Sequence, residues 1–167
     1  MRCSITPQVL FALLLLGSFM PIVTRAQSSK KEKEAARSAQ VQKEVEGRKY
    51  FMDVESAVPQ GGRLKHLSPG YFLRLSGDSL VSHLPYFGQA YSSAGISDGG
   101  YDFTSTDFEY TVSERKKGGW DITIKTKDLQ QNAQLFLTIF QNGEASLQIT
   151  SMSRQSISYS GSLTEKQ

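Results

Sequence analysis

The sequence predicts a mainly β protein: an antiparallel meander of roughly seven to nine strands, forming a small closed or partly open barrel, lipocalin-like in outline, with one helix ahead of it. Three observations carry this. From Arg48 onward apolar residues recur at every second position, the period of a strand with one buried face. Turn-forming clusters such as Pro59-Gln60-Gly61-Gly62 and Gln141-Asn142-Gly143 separate these runs at hairpin spacing. Ahead of Arg48 the chain is charged, and its few apolar residues fall at helical spacing.

Residues 1–26 read as a secretory signal peptide. Arg2 supplies the positive start, Val9–Leu16 is an apolar stretch too short to span a bilayer, and Thr24-Arg25-Ala26 offers a cleavage site. Cys3 lies before the apolar stretch, not after it, so a lipid anchor at that residue is not expected. Cleavage after Ala26 removes two of the 19 Lys and Arg and none of the 16 Asp and Glu, leaving a net charge of +1. That balance does not suit nucleic-acid binding. Cys3 is the chain's one cysteine, so the exported chain must be held by its core without disulfides, and its length allows that.

Residues 27–47 form a charged leader and a helix predicted over Glu34–Glu46. Ala35, Ala36, Ala39, Val41 and Val45 make a thin apolar stripe, and Gly47 is the expected cap. Residues 48–167 form the β domain. Tyr50, Met52 and Val54 alternate with Phe51, Asp53 and Glu55. Leu64–Leu67 reads as a short strand. Tyr71–Ser76 and Leu80–Leu84 pair around Gly77-Asp78-Ser79. Phe108, Tyr110 and Val112 alternate up to the basic tip Arg115-Lys116-Lys117-Gly118-Gly119, and Trp120, Ile122 and Ile124 return. Ala133–Phe140 is apolar on both faces and reads as a central strand. Asn142-Gly143 is the strongest hairpin signal, with Ala145, Leu147 and Ile149 beyond it. Ile157, Tyr159 and Leu163 mark the last strand.

Gly77-Asp78-Ser79-Leu80 spells the nucleophile block of GDSL-type hydrolases. Those enzymes need a histidine base, usually in an Asp-x-x-His block. The two histidines here, His66 and His83, follow Arg63 and Leu80 at that spacing. The β pattern is also wrong for that α/β family, so a polar turn is the better reading, and a hydrolase using Ser79 remains a remote alternative. Asp98, Asp102 and Asp107 lie in or near a glycine-rich loop, but their spacing is not that of a calcium-binding loop. Zinc is disfavoured with two histidines and no cysteine in the exported chain. No metal and no cofactor is expected. The basic tip at residues 115–117 reads as a solvated turn.

The segment Pro85–Tyr91 is the richest in aromatic and turn residues. Tyr86, Phe87 and Tyr91, with Tyr101 and Phe103 beyond the glycine-rich loop, either plug one end of a barrel or line a ligand site at its mouth.

The runs Gly70-Tyr71-Phe72-Leu73-Arg74-Leu75, Gly77-Asp78-Ser79-Leu80, Leu84-Pro85-Tyr86-Phe87-Gly88-Gln89-Ala90-Tyr91 and Gly99-Gly100 together resemble the exported Bacteroidetes proteins catalogued as domain of unknown function 4251. The resemblance covers most of the chain after the signal peptide, and Leu-Pro-Tyr-Phe-Gly is its most specific part. It implies a Gram-negative source and a periplasmic or envelope-associated location. It implies no activity, cofactor or catalytic residue. The chain is therefore expected to be a non-enzymatic β domain. Its partner would be a small molecule or an envelope protein, with no nucleic acid and no transmembrane segment once the signal is removed. The alternative is a structural or protein-interaction module without a pocket.

Overall fold

Period-two alternation becomes strand structure along nearly the whole of the chain after the helix. The structure, a computed structural model, describes residues 24–89, 100–129 and 133–164. Internal contacts divide the chain into Met1–Lys33 and Glu34–Gln167. Of the first unit, residues 24–33 are helical. The elements in order are α1 (Thr24–Glu46), β1 (Lys49–Pro59), β2 (Lys65–His66), β3 (Phe72–Ser76), β4 (Ser79–Leu84), β5 (Tyr101–Ser105), β6 (Phe108–Glu114), β7 (Trp120–Thr126), β8 (Gln134–Ile139), β9 (Glu144–Thr150) and β10 (Ile157–Thr164).

Nine of the strands form one antiparallel path, β5-β4-β3-β1-β10-β9-β8-β7-β6, with the two-residue β2 pairing only β1. The first and last strands therefore lie side by side, from Phe51 against Thr164 to Pro59 against Ile157. The two ends of the path, β5 and β6, are consecutive in the chain and separated only by Thr106 and Asp107. Every step along the path is antiparallel, so β5 and β6 run in the same direction. They are two halves of one bent strand, the first paired with β4 and the second with β7. The chain thus turns a corner instead of a hairpin, and a nearly closed barrel results. Asp128 holds that corner. It accepts hydrogen bonds from Ser105 Oγ at 2.6 Å and from the Thr106 amide at 2.9 Å. These donors hold its carboxyl below the usual carboxylate range, the Ser105 bond first and the Thr106 amide second.

The interior is filled. Met52, Leu73, Leu75, Leu80, Ile124, Leu135, Leu147 and Tyr159 are fully buried in one cluster, as expected for a small barrel whose inward side chains meet at its axis. Alternation breaks once, in β1. A register shift between Val54 and Ser56 lets both Val54 and Ala57 face inward. There Gly161 of β10 passes so close that a Cβ would stand 1.9 Å from the Asp53 carbonyl oxygen.

Helix α1 meets the barrel through Val41 and Val45, 0% and 3% exposed, flanked by Arg37, Gln40 and Glu44. Ala35, Ala36 and Ala39, expected in the apolar stripe, face water. The chain is already helical at Thr24, ten residues before the predicted start. Its end also differs. The left-handed residue is Arg48 (φ 48°), not Gly47. Arg48 is held there by its carbonyl, which accepts the Gly77 amide at 2.9 Å, and by its guanidinium, 4.7 Å from the Tyr110 ring centre. Arg37 Nη2 donates to the Leu163 carbonyl at 2.6 Å, tying the helix to β10.

One local reading is corrected, while the hairpin at Gln141-Asn142-Gly143 and the central strand expected within Ala133–Phe140 both form. The β3–β4 loop is Gly77-Asp78, because Ser76 and Ser79 already pair. The loop at Asn142-Gly143 has three residues, closed by Phe140 and Glu144, with Gly143 at φ 88° supplying the left-handed step. Strand β8 is interior to the sheet but buried on one face only. Leu135, Leu137 and Ile139 point inward, while Phe136 is 39% exposed.

Candidate functional site

The end of the barrel opposite α1 is closed by side chains at the ends of two connections, β4 to β5 and β9 to β10. β4 leaves through Pro85 and Tyr86. β5 begins at Tyr101. The link between β9 and β10 supplies Ser151, Ser153 and Arg154. Each is placed by backbone. The Tyr159 hydroxyl, on β10, donates to the Pro85 carbonyl at 2.7 Å and fixes the exit of β4. The Tyr86 hydroxyl lies 2.9 Å from the Gln89 carbonyl and 3.0 Å from that of Gln155, and donates to one at a time. The Gln155 amide also donates to Gln89 O at 3.0 Å. The Tyr86 and Tyr101 rings meet edge to face, with centroids 5.7 Å apart.

Arg154 sits against both rings, its guanidinium carbon 5.0 Å from the Tyr86 centroid and 5.4 Å from that of Tyr101. It is only 4% exposed. Nη1 donates to the Gly100 carbonyl at 2.8 Å, and Nε has no partner. Among the described residues no carboxylate pairs with it. The hydroxyls of Tyr101, Ser151 and Ser153 are likewise buried and unpartnered. Ser151 neighbours the Tyr101 hydroxyl outside hydrogen-bonding geometry. Burial pushes the Tyr101 phenol up. It pushes the Tyr159 phenol further, with the nearby Tyr101 and Tyr86 adding to the shift and Arg154 opposing it. Both therefore stay neutral donors at physiological pH. The arrangement holds one buried cation against two tyrosine rings, with buried hydroxyls on the same connections.

Of the residues singled out in the sequence, Tyr86 and Tyr101 come together here. Phe103 shares the inward face of β5 with Tyr101 and packs on the core. Phe87 turns outward, 38% exposed, with Lys65 Nζ 4.4 Å from its ring centre. Tyr91 lies outside the described residues, as does Asp98. Sequence reasoning missed Arg154 and Tyr159 as members of this end. One signal was available, since Arg154 is the sole charged residue between Glu144 and Glu165.

The other chemistry-bearing residues do not assemble. His83 Nδ1 is 3.1 Å from Asp102 Oδ2, a pairing not foreseen, but it stands on the outer surface with His83 stacked on Tyr71. Ser79 is four residues along the same strand, roughly 13 Å away at strand rise. Asp102 and Asp107 lie at opposite ends of β5. Among the described residues no group of three potential metal ligands is found. None of their helices is long and apolar enough to cross a membrane.

No curated protein matches the chain. A solved structure with the same fold is the crystal structure of a DUF4251 family protein from Bacteroides eggerthii DSM 20697. It has a TM-score of 0.60 and 14% identity, and the match covers 79% of this chain and 89% of that one. The family described as Domain of unknown function (DUF4251) matches residues 32–163. That span takes in the docking half of α1, every strand of the barrel and the Arg154 end, so the chain belongs to the DUF4251 family.

Proposed function

We propose that this chain is an exported, non-catalytic binding barrel of the periplasm or envelope. Its end at Tyr86, Tyr101 and Arg154 receives a small oxyanion, a carboxylate or a phosphate. The observation that carries the reading is Arg154. A buried guanidinium lacking an acidic partner costs several kcal/mol, and each orphaned buried donor roughly 1–3 kcal/mol. An anion held by Arg154 Nε and the Tyr101, Ser151 and Ser153 hydroxyls offsets those costs. Export rests on the signal-like residues 1–26. The non-catalytic reading rests on the separation of Ser79 from the surface pair His83–Asp102.

Calorimetric melting in a panel of small carboxylates and phosphates, at constant ionic strength, tests the binding. A ligand of the native state raises the melting temperature by mass action. One or more anions should do so for the wild type and not for Arg154→Gln. A flat panel, or equal shifts in both proteins, contradicts the proposal. Export is tested by the N-terminus of protein recovered from the native envelope, which should begin near Gln27. Retention of Met1 would refute it.

A second reading has an observation of its own. Tyr159 to Pro85, Tyr86 to Gln155 and Arg154 to Gly100 are all hydrogen bonds to backbone carbonyls. They would also serve an interaction module in which these side chains only plug the barrel. The flat panel is the result that favours it.

A further inference from the structure

At the opposite end, α1 and the rim of the barrel enclose a groove of about 700 Å³, within the range of small-molecule sites. Its walls are unlike. On the helix side stands Glu44. Its Oε1 accepts from Gln40 Nε2 at 3.1 Å, while Oε2 is buried with no partner. On the strand side stand Lys49 and Arg74, both exposed, and neither makes an ion pair among the described residues. Between them the floor is apolar, built from Tyr50, Phe51 and Leu75. Thr164 adds a buried, unpartnered hydroxyl.

A buried carboxylate oxygen without a donor is costly, and two cations on the facing wall call for an acceptor. One ligand satisfies both if it carries a donor cation at one end, an anion at the other and an apolar body between. We propose that this groove is a second binding site, independent of the Arg154 end, for a small zwitterion: an α-amino acid or short peptide. Its ammonium lies on the Glu44 carboxylate, its carboxylate on Lys49 and Arg74, and its side chain on Phe51. Charge-assisted bonds of this kind are short and about twice as strong as neutral ones, so both charged ends contribute to affinity. The groove is open, so exchange is fast and affinity modest.

Isothermal titration of the purified protein with leucyl-leucine tests this, with free leucine alongside. Binding of either that depends on the free termini and on Glu44 and Arg74 upholds the site, and the tighter of the two names the source. N-acetylation or C-terminal amidation of the dipeptide should each weaken binding roughly tenfold or more. Glu44→Gln should weaken the free dipeptide similarly and abolish its advantage over the N-acetyl form. Arg74→Gln, an exposed change that spares the core, should do the same for the carboxylate and the amide. Absence of millimolar binding by both probes overturns the proposal. So does binding that is indifferent to the blocked termini or unchanged in both variants.

Discussion

Tyr159 shows how a residue's burial sets its chemistry. Its phenol is fully buried in the core and its hydroxyl reaches the Pro85 carbonyl. Tyr159→Phe should cost about 1–2 kcal/mol by denaturant unfolding, the value of a bond whose acceptor is left behind. The same burial makes stability depend on pH. The phenols of Tyr50, Tyr101 and Tyr159 are all held above their ordinary value, chiefly by desolvation. Above about pH 10 the unfolded chain loses phenolic protons that the folded chain keeps. Their contribution is intact below that pH and falls as pH rises through it. Tyrosinate absorbance should therefore appear together with loss of tertiary structure; free titration of these tyrosines in the folded protein would contradict it. Ser79 tests the opposite expectation: Ser79→Ala should leave any esterase activity of the preparation unchanged. At this scale the aromatic residues were legible, because Tyr86 and Tyr101 stand out in any polar loop. Arg154 was not, because its role depends on contacts across 54 positions with Gly100.

Among the elements, strands were easier to read than the helix. Inward positions of β7 and β9 follow directly from alternation. The tract Ala133–Phe140 did mark an interior strand, though its outward apolar residue, Phe136, looks the same in sequence as the buried ones. The helix was legible in part. Of the expected stripe only Val41 and Val45 dock, with the polar Arg37, Gln40 and Glu44 around them, while Ala35, Ala36 and Ala39 face water. Val41→Ala should therefore cost about 1–2 kcal/mol, from two lost methyl groups. Ala39→Ser, on the watered face, should change little. β5 went unread because a two-residue link carries it straight into β6, so no turn announces its end. Asp128 is the device at that corner. Its folded-state pKa is depressed, so its contribution is present at neutral pH and is lost as pH falls below about 4. Asp128→Asn should remove that acid dependence. It should also speed amide exchange at Thr106, relative to β9, and unchanged exchange would deny it the role.

For the whole molecule, closure is what alternation could not specify. An antiparallel meander was legible from turn spacing; the lateral pairing of β1 with β10 joins residues 98 to 113 positions apart, from Pro59–Ile157 to Phe51–Thr164. Gly161 is where that seam is tightest, and Gly161→Val should prevent the two strands from pairing and leave the barrel unfolded or open. The nearly closed barrel leaves two ends of different chemistry, one around the buried Arg154, the other between Glu44 of α1 and the cations Lys49 and Arg74. The most direct measurement is native mass spectrometry of the wild type and Arg154→Gln, each purified gently from its own envelope fraction. The account predicts that the wild type carries an extra mass of an acidic small molecule, released on denaturation, and that the variant lacks it. Bare masses for both proteins, or the same adduct on both, would contradict it.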